Sequence, residues 1–225
     1  KSFRIKNIKS FKDSGEIEIK PITIFVGKNS CGKSSLLRFP IVLAQTATSN
    51  TDSPIMFYGK MLDYGNYEDV VFGGKKDNIE FAIHYDVNIN DLQDERYRVE
   101  EEIIASNTED VKDTWMKICV GKKDNKMYVD TVELYVENML ISGFYYNNDV
   151  YIVKLNSLYV EGNFLEEKYE LNLKSVEFDT FFPIYDSKEK FSSIVELVYD
   201  KLPEYNDEKK IQELYNKLYN NVNPF

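Results

Sequence analysis

Long stretches of the chain alternate apolar and polar residues, the period-two pattern of half-buried β-strands. The clearest stretch runs from Ile79 to Asn90, and similar runs lie at 96–105, 114–121, 126–137, 141–147, 150–155 and 158–174. Turn-forming sequences separate several of them, at 121–126, 147–149 and 161–163. We therefore predict an antiparallel meander over residues 66–176.

The first forty residues predict a different arrangement. Residues 2–11 and 16–26 have strand patterns, and the unbroken apolar run "ITIFV" at 22–26 is typical of a central strand buried on both faces. A helical pattern of apolar residues begins at Lys33, and Pro40 is expected to kink or end that helix. A strand followed by a helix predicts the start of an α/β layer.

The last part of the chain predicts a pair of amphipathic helices. Apolar residues fall at helical spacing in two sets, one at Phe191, Ile194, Val195 and Val198 and the other at Ile211, Leu214, Tyr215 and Leu218. We predict a mixed α/β fold in three segments: residues 1–48, a β-subdomain over 49–176, and a helical segment over 177–225.

Composition and charge narrow the class of protein. The 225 residues are 43% hydrophobic, without an apolar run long enough to span a membrane and without an evident signal peptide. Two cysteines cannot form a disulfide framework, so we expect a reduced, cytoplasmic protein. Residues 1–40 hold nine basic and three acidic residues, whereas the remainder is strongly acidic. The basic end suits phosphates, and the acidic remainder disfavours a wide nucleic-acid footprint.

The strongest chemical signal lies between the apolar run and the helix. Gly27-x-x-x-x-Gly32-Lys33-Ser34 matches the Walker A pattern G-x-x-x-x-G-K-[ST] at every position. The glycines allow a tight anion nest, and the helix N-terminus adds unpaired N–H groups and a positive dipole end. Lys33 is placed to reach the β- and γ-phosphates, the Ser34 hydroxyl to ligate Mg²⁺, and Ser35 to contact the α-phosphate. The predicted nucleotide site comprises Gly27, Lys28, Asn29, Ser30, Cys31, Gly32, Lys33, Ser34 and Ser35.

Two other classes of phosphate-loop protein fit poorly. A GTPase needs an [NT]-K-x-D motif, and the nearest sequences, "GKKD" at 74–77 and 121–124, begin with glycine. A small kinase needs an Arg-rich lid on a compact α/β chain, whereas here more than a hundred strand-rich residues follow the loop.

The sequences "FRIKNIKSF", "IEIKPITIFVGKNSCGKSSLLR" and "DYGNYEDVVFGGK" resemble the opening of ABC-type ATPase heads of the SMC, RecF and OLD-nuclease group, in standalone bacterial members. The resemblance implies an ATP- and Mg²⁺-binding first lobe, with the antiparallel block as its β-subdomain and the helical pair leading to a second lobe. It also implies that Lys12 approaches the nucleotide. Many such members belong to anti-phage systems, so the resemblance extends to antiviral defence.

The machinery for hydrolysis is incomplete in this sequence. Phosphoryl transfer needs a further acidic Mg²⁺ ligand, usually on an apolar strand, and Asp86 and Asp130 are only the nearest candidates. The resemblance implies that a second lobe and a second copy of the head complete the site, with an effector protein or DNA as further partners, and we expect no membrane. The alternative is a nucleotide-sensing, protein-interaction module that does not hydrolyse ATP.

Other reactive side chains receive simpler interpretations. His84, the only histidine, is interpreted as a surface residue, and Cys119 as a core residue. Cys31 lies beside a helix N-terminus, where a thiol is expected to be reactive. Asp63, Glu68 and Asp69 could help to bind metal or nucleotide, but we favour their interpretation as an acidic loop tip.

Overall fold

The computed structural model describes residues 1–184, except for 50, 52, 75–76, 89–110, 149, 156–157, 161–162, 166–168, 174–176 and 181. Two α-helices are described, α1 (Lys33–Ala47) and α2 (Tyr67–Val70), followed by a 3₁₀ turn at Phe72–Gly74. The strands are β1 (Ser2–Ile8), β2 (Phe11–Asp13), β3 (Ile17–Glu18), β4 (Ile79–Asn88), β5 (Val111–Lys123), β6 (Lys126–Val136), β7 (Met139–Asn147), β8 (Val150–Leu155), β9 (Leu158–Val160), β10 (Asn163–Leu165), β11 (Tyr169–Leu173), β12 (Glu177–Asp179) and β13 (Phe182–Ile184).

One antiparallel sheet organises the described part of the chain. Its strand order is β11-β8-β7-β6-β5-β4-β1-β2, and β3 also pairs with β1. Strand β4 pairs with β5 along its whole length, from Ile79↔Val120 to Asn88↔Val111. The meander predicted from the alternating pattern is therefore confirmed for β4 to β8. Strand β1 of the first segment lies in this same sheet, next to β4.

Two of the hairpins close on tight turns whose central residues have positive φ. Asp124 and Asn125, between β5 and β6, have φ of 50° and 64°. Glu137 and Asn138, between β6 and β7, have φ of 49° and 65°. Turns with positive φ at both central positions match the twist of the flanking strands, and Asn and Asp tolerate this conformation well. The turn predicted at 121–126 is thus confirmed.

Helix α1 packs across one face of the sheet and forms the core with it. Phe39, fully buried, stacks on Phe3 of β1 with ring centroids 6.3 Å apart and meets the edge of Phe81 of β4 at 5.5 Å. Leu36 and Val42 lie buried on the same side of the helix. Because α1 begins directly after the loop at 27–32, this packing positions the end of the loop that joins the helix.

The strand expected at 22–26 is wrong, and one of the two effects expected of Pro40, the ending of the helix, is excluded. Residues 22–26 form no strand, and Ile22, Ile24 and Val26 are 81, 77 and 87% exposed. An apolar run is buried only where neighbouring strands cover it, and among the described strands none pairs with this run. Helix α1 does not end at Pro40 but continues to Ala47.

Some predictions lie outside the described residues. These are the strand run at 96–105 and the amphipathic pair in 185–225. In the part of the chain that is described, no helix has the length and hydropathy needed to cross a membrane.

Candidate functional site

The loop at 27–32 is held in a conformation that requires glycine at its last position. Gly32 is the N-cap of α1 with φ 95° and ψ 2°, in the left-handed region. A Cβ at this position would lie 2.6 Å from Cε2 of Phe11, so there is no room for a side chain. Ser30 also takes a positive φ of 62°. The N–H groups of Ser35 and Leu36, in the first helical turn, donate to the Gly32 oxygen at 2.9 and 3.1 Å, so the anion nest expected at 27–32 would draw on the N–H groups that precede them.

Lys33 bends back over this loop. Its ammonium donates hydrogen bonds to the carbonyl oxygens of Gly27 at 2.9 Å and Lys28 at 2.6 Å, and lies 3.8 Å from Sγ of Cys31. A charged donor is thus positioned across the mouth of the nest. An anion entering there would exchange two carbonyl acceptors for oxygens of greater negative charge, which form stronger hydrogen bonds with an ammonium group.

Ser34 and Ser35 line a cleft of about 390 Å³ beside the loop. Its other walls are Lys9 from the β1–β2 turn, Arg38 one turn further along α1, and the segment Asp63, Tyr64, Gly65 and Asp69. The cleft therefore combines two cations, two carboxylates and an aromatic ring. That mixture suits a polar ligand carrying phosphate and hydroxyl groups.

The segment opposite Ser35 is tied to the helix by Tyr64. The Tyr64 hydroxyl donates to the main-chain oxygen of Ser35 at 3.0 Å, and the Lys9 ammonium lies 4.9 Å from the centre of the Tyr64 ring. Burial raises the pKa of Tyr64 to about 12, so the hydroxyl remains a donor at physiological pH.

Side chains at the end of α1 hold the chain that leads into this segment. Gln45 donates to the Met56 oxygen at 2.8 Å and accepts from the N–H groups of Met61 at 3.1 Å and Leu62 at 3.0 Å. Thr46 accepts from the Met56 N–H at 2.9 Å. Helix α1 thus positions both walls of the cleft, one directly and one through these hydrogen bonds.

Two of the three acidic residues that were interpreted as a loop tip line the cleft. Asp63 and Asp69 line it, but each also accepts a local main-chain hydrogen bond, Asp63 from Gly65 and Asp69 from Asn66. Glu68 pairs with Lys122 instead.

The structure brings the predicted loop residues together but places Lys12 elsewhere. Lys12 lines a separate cleft with Lys6, Asp13 and Glu80, whose walls include neither loop serine. Lys9, Arg38 and Tyr64 were missed as site residues. Arg38 follows the loop at helical spacing, but Lys9 and Tyr64 reach the cleft only through tertiary packing, which no spacing rule indicates.

Neither candidate for an acidic metal ligand lies at this cleft. Asp86 pairs with Lys1 at 2.6 Å, and Asp130 accepts from the Thr131 hydroxyl at 3.3 Å. Across the described residues no group of three His, Cys, Asp or Glu side chains is placed to hold a metal ion. The exposed Ser34 hydroxyl fits Mg²⁺, which accepts few protein ligands when phosphate oxygens supply others.

His84, interpreted as a surface residue, is partly exposed and belongs to a network. Its Nε2 lies 2.6 Å from Asp113, its Nδ1 lies 3.1 Å from the Ser2 hydroxyl and 3.3 Å from Glu16, and its ring stacks on Trp115 at 4.3 Å. The order Ser–His–Asp is that of hydrolases, but Ser2 is only 1% exposed and cannot meet a substrate. The network therefore ties strands together.

Comparison with known proteins places the chain in a family. A family model described as "AAA ATPase domain" matches residues 1–224. Curated proteins and solved structures gave no significant match. The family match covers nearly the whole chain, including the loop, Lys33 and the cleft beside Ser34, and the chain therefore belongs to the AAA ATPase domain family, whose members bind and hydrolyse ATP.

Proposed function

We propose that this chain is the ATP-binding lobe of an ABC-type ATPase of the SMC, RecF and OLD-like group. The observation that carries the proposal is the ammonium of Lys33, held across the nest at 27–32 by the carbonyl oxygens of Gly27 and Lys28. A glycine-capped helix N-terminus with a lysine over the loop is the arrangement with which phosphate-loop proteins bind nucleotide phosphates.

Each side chain at the site has a proposed role. The loop N–H groups and Lys33 bind the β- and γ-phosphates, Ser35 contacts the α-phosphate, and Ser34 ligates Mg²⁺. Bound Mg²⁺ neutralises charge that develops on the phosphates. Lys9, Arg38 and Tyr64 then lie along the cleft where the remainder of the nucleotide extends from Ser35.

A second lobe is proposed to cover the exposed apolar run. Ile22, Ile24 and Val26 are more than three-quarters exposed, and Leu37 and Ile41 of α1 add further apolar surface nearby in sequence. Such a run, rich in β-branched residues and without strand partners in the described sheet, has the composition of a strand that pairs on both edges. In this proposal the second lobe supplies the acidic Mg²⁺ ligand, and a second head closes the site. The same proposal includes an effector protein or DNA to which ATP turnover is coupled, and a role in antiviral defence.

Calorimetric titration with Mg-ATP tests the binding site. We expect Lys33→Ala to weaken binding at least about tenfold, since a charge-assisted hydrogen bond to phosphate is worth roughly 1.5–3 kcal/mol. Lys60→Ala, which removes an exposed lysine away from the cleft, should bind as the wild type does. Lys12→Ala tests the role that the family resemblance implies for Lys12. Equal affinity of wild type and Lys33→Ala would overturn the proposal.

Measuring phosphate release from ATP distinguishes the ATPase lobe from the non-hydrolysing sensor module. The proposed lobe binds ATP and turns it over only when its second lobe is present. Binding without turnover even in the complete assembly would instead support the non-hydrolysing sensor. Hydrogen exchange at residues 22–26 tests the position of the second lobe, because exchange should slow there when that lobe is added.

A further inference from the structure

The turn of the first hairpin touches the back of the phosphate loop. Phe11 begins β2 and pairs with Ile8, but its ring lies against Gly32. The Cε2 and Cζ atoms of the ring would lie 2.6 and 2.8 Å from a Cβ at position 32, and Cβ of Ser10 would lie 3.2 Å from it. The ring therefore occupies the volume that a side chain at position 32 would need.

Gly32 has no side chain with which to hold itself in place. Its left-handed conformation sets the direction in which the first N–H groups of α1 point, and glycine pays little to leave that conformation. The ring of Phe11 supplies an external surface that limits this freedom. Loops that bind phosphate through main-chain groups depend on such support, because small displacements of several donors weaken binding together.

The hairpin turn cannot simply retreat from the loop, because it is fixed on its other side. The Lys9 N–H donates to the Val70 oxygen at 2.5 Å, and Ile8 forms a bridge with Val71. The turn is therefore held between the phosphate loop and the segment that walls the cleft. Because the turn is fixed, its contact with Gly32 can hold the phosphate loop in position, whereas contact with a freely moving side chain could not.

We propose that Phe11 is a positioning residue for the phosphate loop, acting through the contact of its ring with Gly32. The inference rests on the proposed function, since its main readout is nucleotide affinity. Phe11→Ala should weaken Mg-ATP binding by about tenfold, the scale on which supporting residues usually act on a binding site. Phe11→Leu, which keeps an apolar group of nearly the same reach, should recover most of the affinity.

A matched variant separates positioning from loss of stability. Ile17→Ala removes a half-buried apolar side chain from β3, which pairs with the other end of β1. Both alanine variants should lower the free energy of unfolding, but only Phe11→Ala should weaken binding and speed amide exchange in the loop at 28–34. If the two variants change affinity alike, the proposal is wrong. Should Phe11→Ala not fold, Phe11→Val removes the ring edge and replaces it in the comparison.

A double-mutant cycle with Gly32→Ala tests the contact itself. The backbone strain that a Cβ at position 32 introduces is the same in both backgrounds and cancels in the cycle. The clash with the ring is present only when Phe11 is. Gly32→Ala should therefore weaken ATP binding less in the Phe11→Ala background than in the wild type, and additive effects would contradict the contact.

The proposed function and this inference can fail separately. If wild-type protein binds no nucleotide, the proposed function fails, while amide exchange in the loop still reports whether Phe11 holds it. If wild type binds Mg-ATP and Phe11→Ala binds it equally well, only the positioning role is overturned.

Discussion

The hydroxyl of Tyr64 donates a hydrogen bond to the main-chain oxygen of Ser35 at 3.0 Å. This bond joins the segment at 63–70 to the helical turn that carries both loop serines. Because the Tyr64 ring is buried and its pKa is raised to about 12, the bond persists across the pH range in which the protein would operate. The far wall of the cleft is thereby fixed to the helix whose N-terminus forms the nest.

Tyr64→Phe removes this donor and keeps the ring. We expect a loss of about 1 kcal/mol in the free energy of unfolding, the usual net worth of one hydrogen bond. Mg-ATP affinity should fall by a few fold, because the cleft wall loses its tie to Ser35. Tyr67→Phe is a matched control, since the Tyr67 hydroxyl donates to the Val120 oxygen at 3.0 Å, away from the cleft. Equal changes in affinity for both variants would contradict this role for Tyr64.

Gln45 is predicted to dominate the stability of the chain at 56–62. It is 2% exposed and satisfies three main-chain groups, so Gln45→Leu leaves two partly buried donors and an acceptor without this partner. We expect a loss of about 2–4 kcal/mol in the free energy of unfolding, measured by urea denaturation. Thr48→Ala, at the exposed end of the same helix, should cost no more than about 0.5 kcal/mol. A Gln45→Leu variant as stable as Thr48→Ala would refute the assignment.

The alternating strands were predictable because their signal is local. In β4, Ile79 and Phe81 are buried while Glu80 remains partly exposed, as the period-two pattern requires. The turn at Asp124 and Asn125 was predictable for the same reason, since both residue types favour positive φ. The run at 22–26 was not, because an apolar run is paired and buried only where neighbouring strands cover it, which its own composition does not determine.

The residues of the candidate site also fall into two groups, those predicted by a local sequence pattern and those brought in by tertiary packing. The loop from Gly27 to Ser35 is one continuous segment, and the spacing of its residues alone predicts a phosphate-binding role. Lys9 and Tyr64 come from segments that are far apart in sequence and meet only because β1 and α1 pack together. The buried position of Gln45 could not be predicted from the sequence either, since a single polar residue on a helix is usually exposed.

The network around His84 predicts a pH dependence of stability. The Ser2 hydroxyl lowers the pKa of Glu16, and the Lys1 ammonium together with His84 lowers the pKa of Asp113. A carboxyl whose pKa is lower in the folded than in the unfolded protein stabilises the fold above its unfolded pKa, about 4. That stabilisation is lost as the pH falls through the folded pKa.

Asp113→Asn isolates this contribution. The difference in the free energy of unfolding between wild type and Asp113→Asn should be largest near neutral pH and shrink between about pH 5 and pH 3. Solvent screening keeps it near 1 kcal/mol or less, because both carboxylates are partly exposed. Trp115, the only tryptophan, stacks on His84 and reports unfolding by fluorescence. A difference for Asp113→Asn that stays constant over this pH range would contradict the prediction.

The two cysteines should differ sharply in reactivity. Cys31 is exposed in the phosphate loop, 3.8 Å from the Lys33 ammonium. Burial raises the pKa of Cys119 to about 12, so at pH 8 that thiol stays protonated and unreactive. Iodoacetamide should therefore label Cys31 alone in the folded protein, which mass spectrometry of peptides would show.

Labelling Cys31 should also abolish Mg-ATP binding. A Cβ at Gly27 would lie only 3.2 Å from Sγ of Cys31, so this sulfur lies beside the loop backbone, and we expect an added acetamide group to obstruct the phosphates. Cys31→Ser, which keeps a small polar side chain, should bind Mg-ATP like the wild type. Its binding should also be unchanged by iodoacetamide, so that any loss of binding in labelled wild-type protein can be attributed to modification of Cys31. If fully labelled wild-type protein binds Mg-ATP with unchanged affinity, this prediction is wrong. The phosphates would then lie on the side of the loop that faces Ser34 and the cleft, away from Cys31.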